Sequence, residues 1–187
     1  MSLPWTFDSP IRTERLIIRP MAPGDVDDLY DYQSRQDVHQ YLLNDARSRE
    51  EVLEALDKYM AASRLAEDHD FIQPAVELDG RVIGQLFLSL VSVENRGVEV
   101  GWVFNPEFHG KGYASEAAAA LFDLVFDELG MHRIRAELDP LNEASIALCR
   151  RLGMREEAHH VKDLWLRGEW VDSGFYAILD EEWAARG

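Results

Sequence analysis

Residues 104–116 read Phe-Asn-Pro-Glu-Phe-His-Gly-Lys-Gly-Tyr-Ala-Ser-Glu and join a run rich in β-formers to an alanine-rich run of helical character. Gly110 and Gly112 let the backbone take turns that a Cβ forbids. A tight glycine turn that opens a helix bares the helix's first N–H groups at the positive end of its dipole. That arrangement receives phosphate oxygens. The chain is therefore expected to fold around a strand–loop–helix unit that binds a pyrophosphate-bearing cofactor at Gly110–Ser115.

Two common phosphate loops do not fit. A Walker loop needs glycine five positions before its lysine and Ser or Thr directly after it. Here those positions hold Pro106 and Gly112. The dinucleotide fingerprint G-x-G-x-x-G would need a third glycine where Ser115 stands.

The remaining pattern alternates strands and helices without repeats, low-complexity segments or a linker. Arg15–Arg19 reads as a first strand, and Pro23-Gly24-Asp25 starts a short helix to about Gln33. Ser48 and Glu51 form a capping box for a helix that the spacing of Leu53, Leu56, Met60 and Leu65 carries to about Ala66. Phe71–Leu78 and Val82–Val93 read as strands about an Asp79-Gly80 hairpin turn, and Val98–Phe104 as the strand feeding the glycine loop. A helix is predicted over Tyr113–Leu129, closed by Gly130. Its alanines allow close approach to a sheet, although they are also simply good helix formers. Ile134–Leu138 is a strand, Asn142 caps a helix to Leu152, and Met154–Trp165 and Trp170–Leu179 form a last hairpin about Arg167-Gly168. A single α/β (α+β) domain with a mixed, mostly antiparallel sheet follows.

The 187 residues suit one domain with a substantial core. A single cysteine, Cys149, excludes an intrachain disulfide and fits a reduced, cytoplasmic setting. No basic-then-apolar leader opens the chain and no run of about 18 apolar residues occurs, so neither a secretory signal nor a membrane span is expected. The formal charge of −16 disfavours nucleic acid and anionic membranes and favours an amine-bearing substrate, though it also serves plain solubility. An anionic cofactor would then rest on local features, with Lys111, Arg150 and Arg151 as a positive patch. His159-His160 would point to opposite faces of a strand, and no metal motif is present, so no metal site is expected.

His109-Gly110-Lys111-Gly112-Tyr113-Ala114 resembles the coenzyme A loop of the GNAT N-acetyltransferases, Gln/Arg-x-x-Gly-x-Gly/Ala, with His109 where Gln or Arg is usual. About thirty residues later, Asn142-Glu-Ala-Ser-Ile-Ala-Leu-Cys-Arg-Arg-Leu-Gly-Met154 resembles the family's second motif. Ser145, Arg15-Leu-Ile-Ile-Arg-Pro20, Val98-Glu-Val-Gly-Trp102 and Glu169-Trp-Val-Asp-Ser…Tyr176 are similar to the RimJ/RimL-like, ribosomal-protein-alanine acetyltransferase branch. The likeness covers about residues 10–180, within one acetyltransferase domain spanning 1–187.

The resemblance implies a GNAT-like sheet with splayed middle strands and helices on both faces. It also implies acetyl transfer from acetyl-coenzyme A to a primary amine, either a protein α-amine or a small-molecule amine, by direct attack in a ternary complex. Cofactor contacts are implied at Val103, Phe104, His109, Gly110, Lys111, Gly112, Tyr113, Ala114, Ser115 and Asn142. The backbone near Val103 would receive the thioester oxygen. Many relatives carry, seven residues after the asparagine, a tyrosine that protonates the thiolate, and here that position is Cys149.

Catalytic candidates are Glu99, as a base acting through water or else a strand carboxylate paired with a basic group such as Arg96, and Ser145, as donor to the leaving thiolate. Tyr41 is a candidate for the acceptor pocket. Trp165 and Trp170 flank a turn suited to a homodimer contact or to the acceptor. Cys149 as a nucleophile competes with a small buried apolar residue. A non-catalytic coenzyme A-binding sensor or interaction domain and a nucleotide-binding enzyme are the competing readings.

Overall fold

The computed structural model describes residues 3–186. Its strands are β1 (Trp5–Thr6), β2 (Ile11–Arg12), β3 (Ile17–Arg19), β4 (Arg64–Leu65), β5 (Phe71–Ile72), β6 (Ala75–Leu78), β7 (Arg81–Ser92), β8 (Gly97–Phe104), β9 (Arg133–Leu138), β10 (Arg155–Leu166) and β11 (Glu169–Leu179). The helices are α1 (Val26–Gln33), α2 (Gln36–His39), α3 (Arg49–Ala61), α4 (Tyr113–Asp123), α5 (Glu143–Arg151) and α6 (Asp180–Ala184). β1 pairs β4, and the other strands form one sheet in the order β10-β11-β9-β8-β7-β6-β3-β2, with β5 also beside β7.

Local chemistry accounts for most boundaries. Ser48 N–H donates to Glu51 Oε2 at 2.7 Å, and Ser48 Oγ accepts from Glu51 N–H at 3.3 Å, closing the predicted capping box. Asp79-Gly80 and Arg167-Gly168 turn the two hairpins with positive φ at both positions, the geometry that matches strand twist. Asn142 Oδ1 accepts from Ser145 N–H at 3.1 Å and starts α5.

Three predicted elements need correction. The helix after Ser48 stops at Ala61 rather than Ala66, because Leu65 is drawn into a strand opposite Trp5 and is wholly buried there. The run 71–78 is two strands, broken at Gln73-Pro74, where proline has no N–H for a ladder. The helix from Tyr113 keeps α geometry only to Asp123 and continues as a wider π turn over Leu124–Glu128. The wider turn lets three consecutive side chains, Leu124, Val125 and Phe126, all be buried, which a 100° step per residue cannot do on one face.

The sheet carries a core on each face. Ala117, Ala118 and Leu121 of α4 and Leu148 of α5 pack on Leu86, Leu88, Val98 and Val100. On the other face Leu29 and Tyr32 of α1 and Val52 and Leu56 of α3 pack with Ala75 and Val82. β7 serves both because a bulge leaves Ile83 unpaired between Gly84↔Val76 and Val82↔Glu77, so the facing of its side chains switches there. Every pairing is antiparallel except β8 with β9. That parallel ladder covers only Gly97–Glu99 opposite Arg133–Arg135. Beyond Glu99 the two middle strands part, and the backbone of Val100–Phe104 has no β9 partner.

Candidate active site

The splay of β8 from β9 opens a cleft of about 490 Å³. β8 enters it with Trp102, Val103 and Phe104, and the glycine loop follows with His109, Gly110 and Gly112. The floor is tight. A Cβ on Gly84 would fall 2.5 Å from the Phe104 ring and 2.8 Å from the Val103 carbonyl, so only glycine lets β7 approach here.

Gly110 (φ 74°) and Gly112 (φ 84°) both turn left-handed, as the loop sequence demands. The amides of residues 110 through 115 have no hydrogen-bond acceptor among the described residues, whereas Glu116 N–H returns to the Gly112 carbonyl at 3.0 Å. Six bared amides at the start of α4 fit a diphosphate. Arg151 lines the same cleft, and its Nε donates to Ser115 Oγ at 3.2 Å. Lys111 does not line the cleft. Its ammonium turns back to the Glu107 carbonyl (3.3 Å) and over the Phe108 ring (5.2 Å), so of the proposed positive patch only Arg151 lines the cleft. His109 Nε2 lies 3.1 Å from the Phe104 carbonyl and braces the loop against the end of β8.

A clip that sequence reasoning missed holds this loop. Glu116, in the first turn of α4, accepts from Thr13 Oγ1 (2.5 Å), Arg15 N–H (2.8 Å) and Arg15 Nε (2.7 Å). Burial alone would raise the Glu116 pKa, yet these bonds outweigh it and hold the carboxyl below its ordinary range. Arg15 also donates to the Lys111 carbonyl at 3.0 Å and lies 4.6 Å from the Tyr113 ring centre. No local pattern announces a contact across a hundred residues.

Asn142 and Ser145 line the cleft from α5. Ser145 Oγ accepts from Trp102 Nε1–H at 3.2 Å, which leaves its own proton to donate. The indole N–H, needing a partner once half-buried, was the available signal for Trp102. Cys149, one helical turn on, is fully buried, and burial pushes its thiol up to about 12. It packs as an apolar residue and lies outside the cleft lining. Glu99 also lies outside. Its Oε2 accepts from Arg135 Nε (2.9 Å) and Nη2 (2.7 Å), a pairing with β9 rather than with Arg96, and its Oε1 has no hydrogen-bond partner among the described residues.

Tyr41 does line the cleft, together with Asp37, Val38 and Leu42. Asp37 is held by both nitrogens of the Arg35 fork, at 3.0 and 2.8 Å. Trp165 and Trp170 stand exposed at the hairpin end and pack edge to face at 5.2 Å.

This geometry agrees with sequence comparison. Residues 15–155 match the model of the acetyltransferase (GNAT) domain. The chain belongs to the GNAT acetyltransferase family. It is 35% identical over 173 residues to the uncharacterized N-acetyltransferase YnaD of Bacillus subtilis, covering 92% of this chain and 98% of that one. A GNAT-family acetyltransferase of Bacillus anthracis superposes with a TM-score of 0.83 at 33% identity, covering 92% and 99% of the two chains. The spermidine N(1)-acetyltransferase of Escherichia coli is 26% identical over 152 residues, or 79% of this chain and 82% of that one. The GNAT cofactor is acetyl-coenzyme A, and the bared amides at residues 110–115 are the part of this chain that suits its diphosphate.

Proposed function

We propose that this GNAT domain, formed by the chain as a whole with its core at about 10–180, moves an acetyl group from acetyl-coenzyme A directly to a primary amine. The observation that carries the reading is continuity. One cleft is lined by the glycine loop, by Ser145 and by Val38, Tyr41 and Leu42 together. Donor and acceptor can therefore meet without an intermediate carrier. Cys149, buried and outside the cleft lining, offers no acyl-enzyme route.

When bound, acetyl-coenzyme A supplies an activated thioester. The chain's residues supply the rest. The amides of 110–115 would hold the diphosphate, and the edge of β8 near Val103 that β9 leaves unpaired would face the developing charge on the carbonyl oxygen. Ser145, its oxygen fixed by Trp102, donates its proton toward the leaving sulfur. Glu99, held by Arg135 outside the cleft lining, is the base of this reading only through a water chain that joins its Oε1 to the amine. An α-amine, with a pKa of about 8, gives up that proton more readily than a lysine amine at about 10.4. The acceptor is read as a peptide α-amine or a small-molecule amine. The charge of −16 and the spermidine enzyme among the relatives favour cationic amines. The exposed Trp165–Trp170 pair is the candidate homodimer contact.

The test is release of the coenzyme A thiol across a panel of polyamines, amino acids and peptides with free N-termini. At least one amine should stimulate release, and Gly112→Trp, which forces a side chain onto a left-handed residue 3.4 Å from Arg15 Nη2 and so distorts the glycine turn, should abolish both release and coenzyme A binding. Tight coenzyme A binding with no amine-stimulated release would instead support a non-catalytic binding domain.

A further inference from the structure

The loop joining α2 to α3 has no regular structure, yet it forms part of the cleft wall through Tyr41 and Leu42. A wall of this kind needs something to hold it. At its base the loop is fixed locally. His39 is buried, with Nε2 2.8 Å from the Gln33 carbonyl and Nδ1 3.0 Å from the Asn44 carbonyl. Arg47 donates to Gln33 Oε1 at 2.7 Å and to Tyr59 Oη at 2.8 Å.

The remaining hold comes from the far end of the chain. Arg167, at the turn between β10 and β11, places Nη2 within 3.1 Å of the His39 carbonyl, 3.0 Å of the Leu42 carbonyl and 2.8 Å of the Asn44 carbonyl. Its Nε donates to Asp45 Oδ1 at 2.6 Å. Three carbonyls converge on one guanidinium nitrogen, and they bracket the two residues whose side chains face the cleft. A planar fork can satisfy several acceptors at fixed angles, which a lysine ammonium on a flexible stem does not reproduce.

We propose that Arg167 is a positioning residue for the acceptor. It locks the 39–45 loop to the terminal hairpin and thereby sets the width of the cleft where the amine enters. This rests on reading that end of the cleft as the acceptor's. It makes a hairpin residue, outside the cleft lining, a determinant of which amines fit.

The experiment compares wild type, Arg167→Ala and Arg167→Lys by steady-state kinetics and by hydrogen exchange of the loop amides, with coenzyme A affinity measured separately. Loss of a charged fork to several carbonyls should raise the acceptor KM about tenfold and speed exchange at residues 40–46 by a similar factor. The KM for acetyl-coenzyme A and its affinity should stay within about twofold, because the glycine loop is untouched. Lysine keeps the charge beside Asp45 and not the fork, so it should restore little. Unaltered exchange in the alanine variant, equal losses for donor and acceptor, or full restoration by lysine would each overturn the proposal. The exchange measurement needs no acceptor. A wild type that acetylates no amine would refute the transfer reading, while accelerated exchange confined to 40–46 would still uphold the lock.

Discussion

Ser145 is an ordinary helix-start residue until Trp102 is placed against it. Its backbone N–H is taken by Asn142, its oxygen accepts the indole N–H, and only its hydroxyl proton remains to be given away. A hydroxyl that already accepts a hydrogen bond is a better donor, since linked bonds polarise one another. Ser145 was readable from the motif that begins at Asn142, whereas its partner stands 43 residues earlier on another element and no local rule joins them. Trp102→Phe keeps an aromatic ring, smaller than the indole, and removes the N–H. It should lower kcat about three- to tenfold with coenzyme A affinity unchanged, as expected for loss of one hydrogen bond that orients a donor. Ser145→Ala should lower kcat at least as far, and the double variant should lose little more than Ser145→Ala alone. Additive losses would mean that Trp102 does not act through Ser145.

At the scale of elements, what was legible is what local chemistry decides. The Ser48 capping box, the Asn142 cap and the two positive-φ hairpin turns all follow from residues within three positions of one another. The elements that differ are those settled by distant partners. Leu65 suits a helix by spacing and becomes a strand because Trp5 lies opposite it. The splay of β8 from β9 leaves no mark in either strand, since it is a property of their pairing.

The clip between the N-terminal segment and α4 is of the same distant kind, and it carries a pH dependence. Glu116 has a depressed pKa in the folded chain, because bonds from Thr13 and Arg15 outweigh the burial that would raise it. The folded state therefore binds this proton less readily than the unfolded state does. The stabilisation is present above the ordinary carboxylate range and is lost as pH falls through the folded value. Arg15 is partly exposed, which screens the pair, so about 1–2 kcal/mol is expected near neutrality. Glu116→Gln should then lower Tm by a few degrees at neutral pH, and the two melting curves should converge in acid. A constant gap at every pH would show that the carboxylate charge is not what holds the clip.

For the whole molecule, the decisive quantity is a charge of −16 around a cleft that takes an anionic donor and an amine, the latter cationic when protonated. The two ligands feel this charge with opposite sign. In the proposed function the donor's diphosphate is met at short range by the bared amides, with Arg151 lining the same cleft, and salt screens such close contacts weakly. A cationic amine is drawn by the summed field, which acts over distances comparable to the screening length of about 10 Å at 0.1 M salt. Raising salt from about 0.02 to 0.2 M should therefore increase the KM of a polyamine by on the order of threefold. A neutral or zwitterionic amine should change little. For acetyl-coenzyme A the KM should stay flat or fall slightly, because added salt also screens its repulsion from the acidic surface. A polyamine KM indifferent to salt would place acceptor selection in the walls of the cleft alone and remove the molecular charge from the account of specificity.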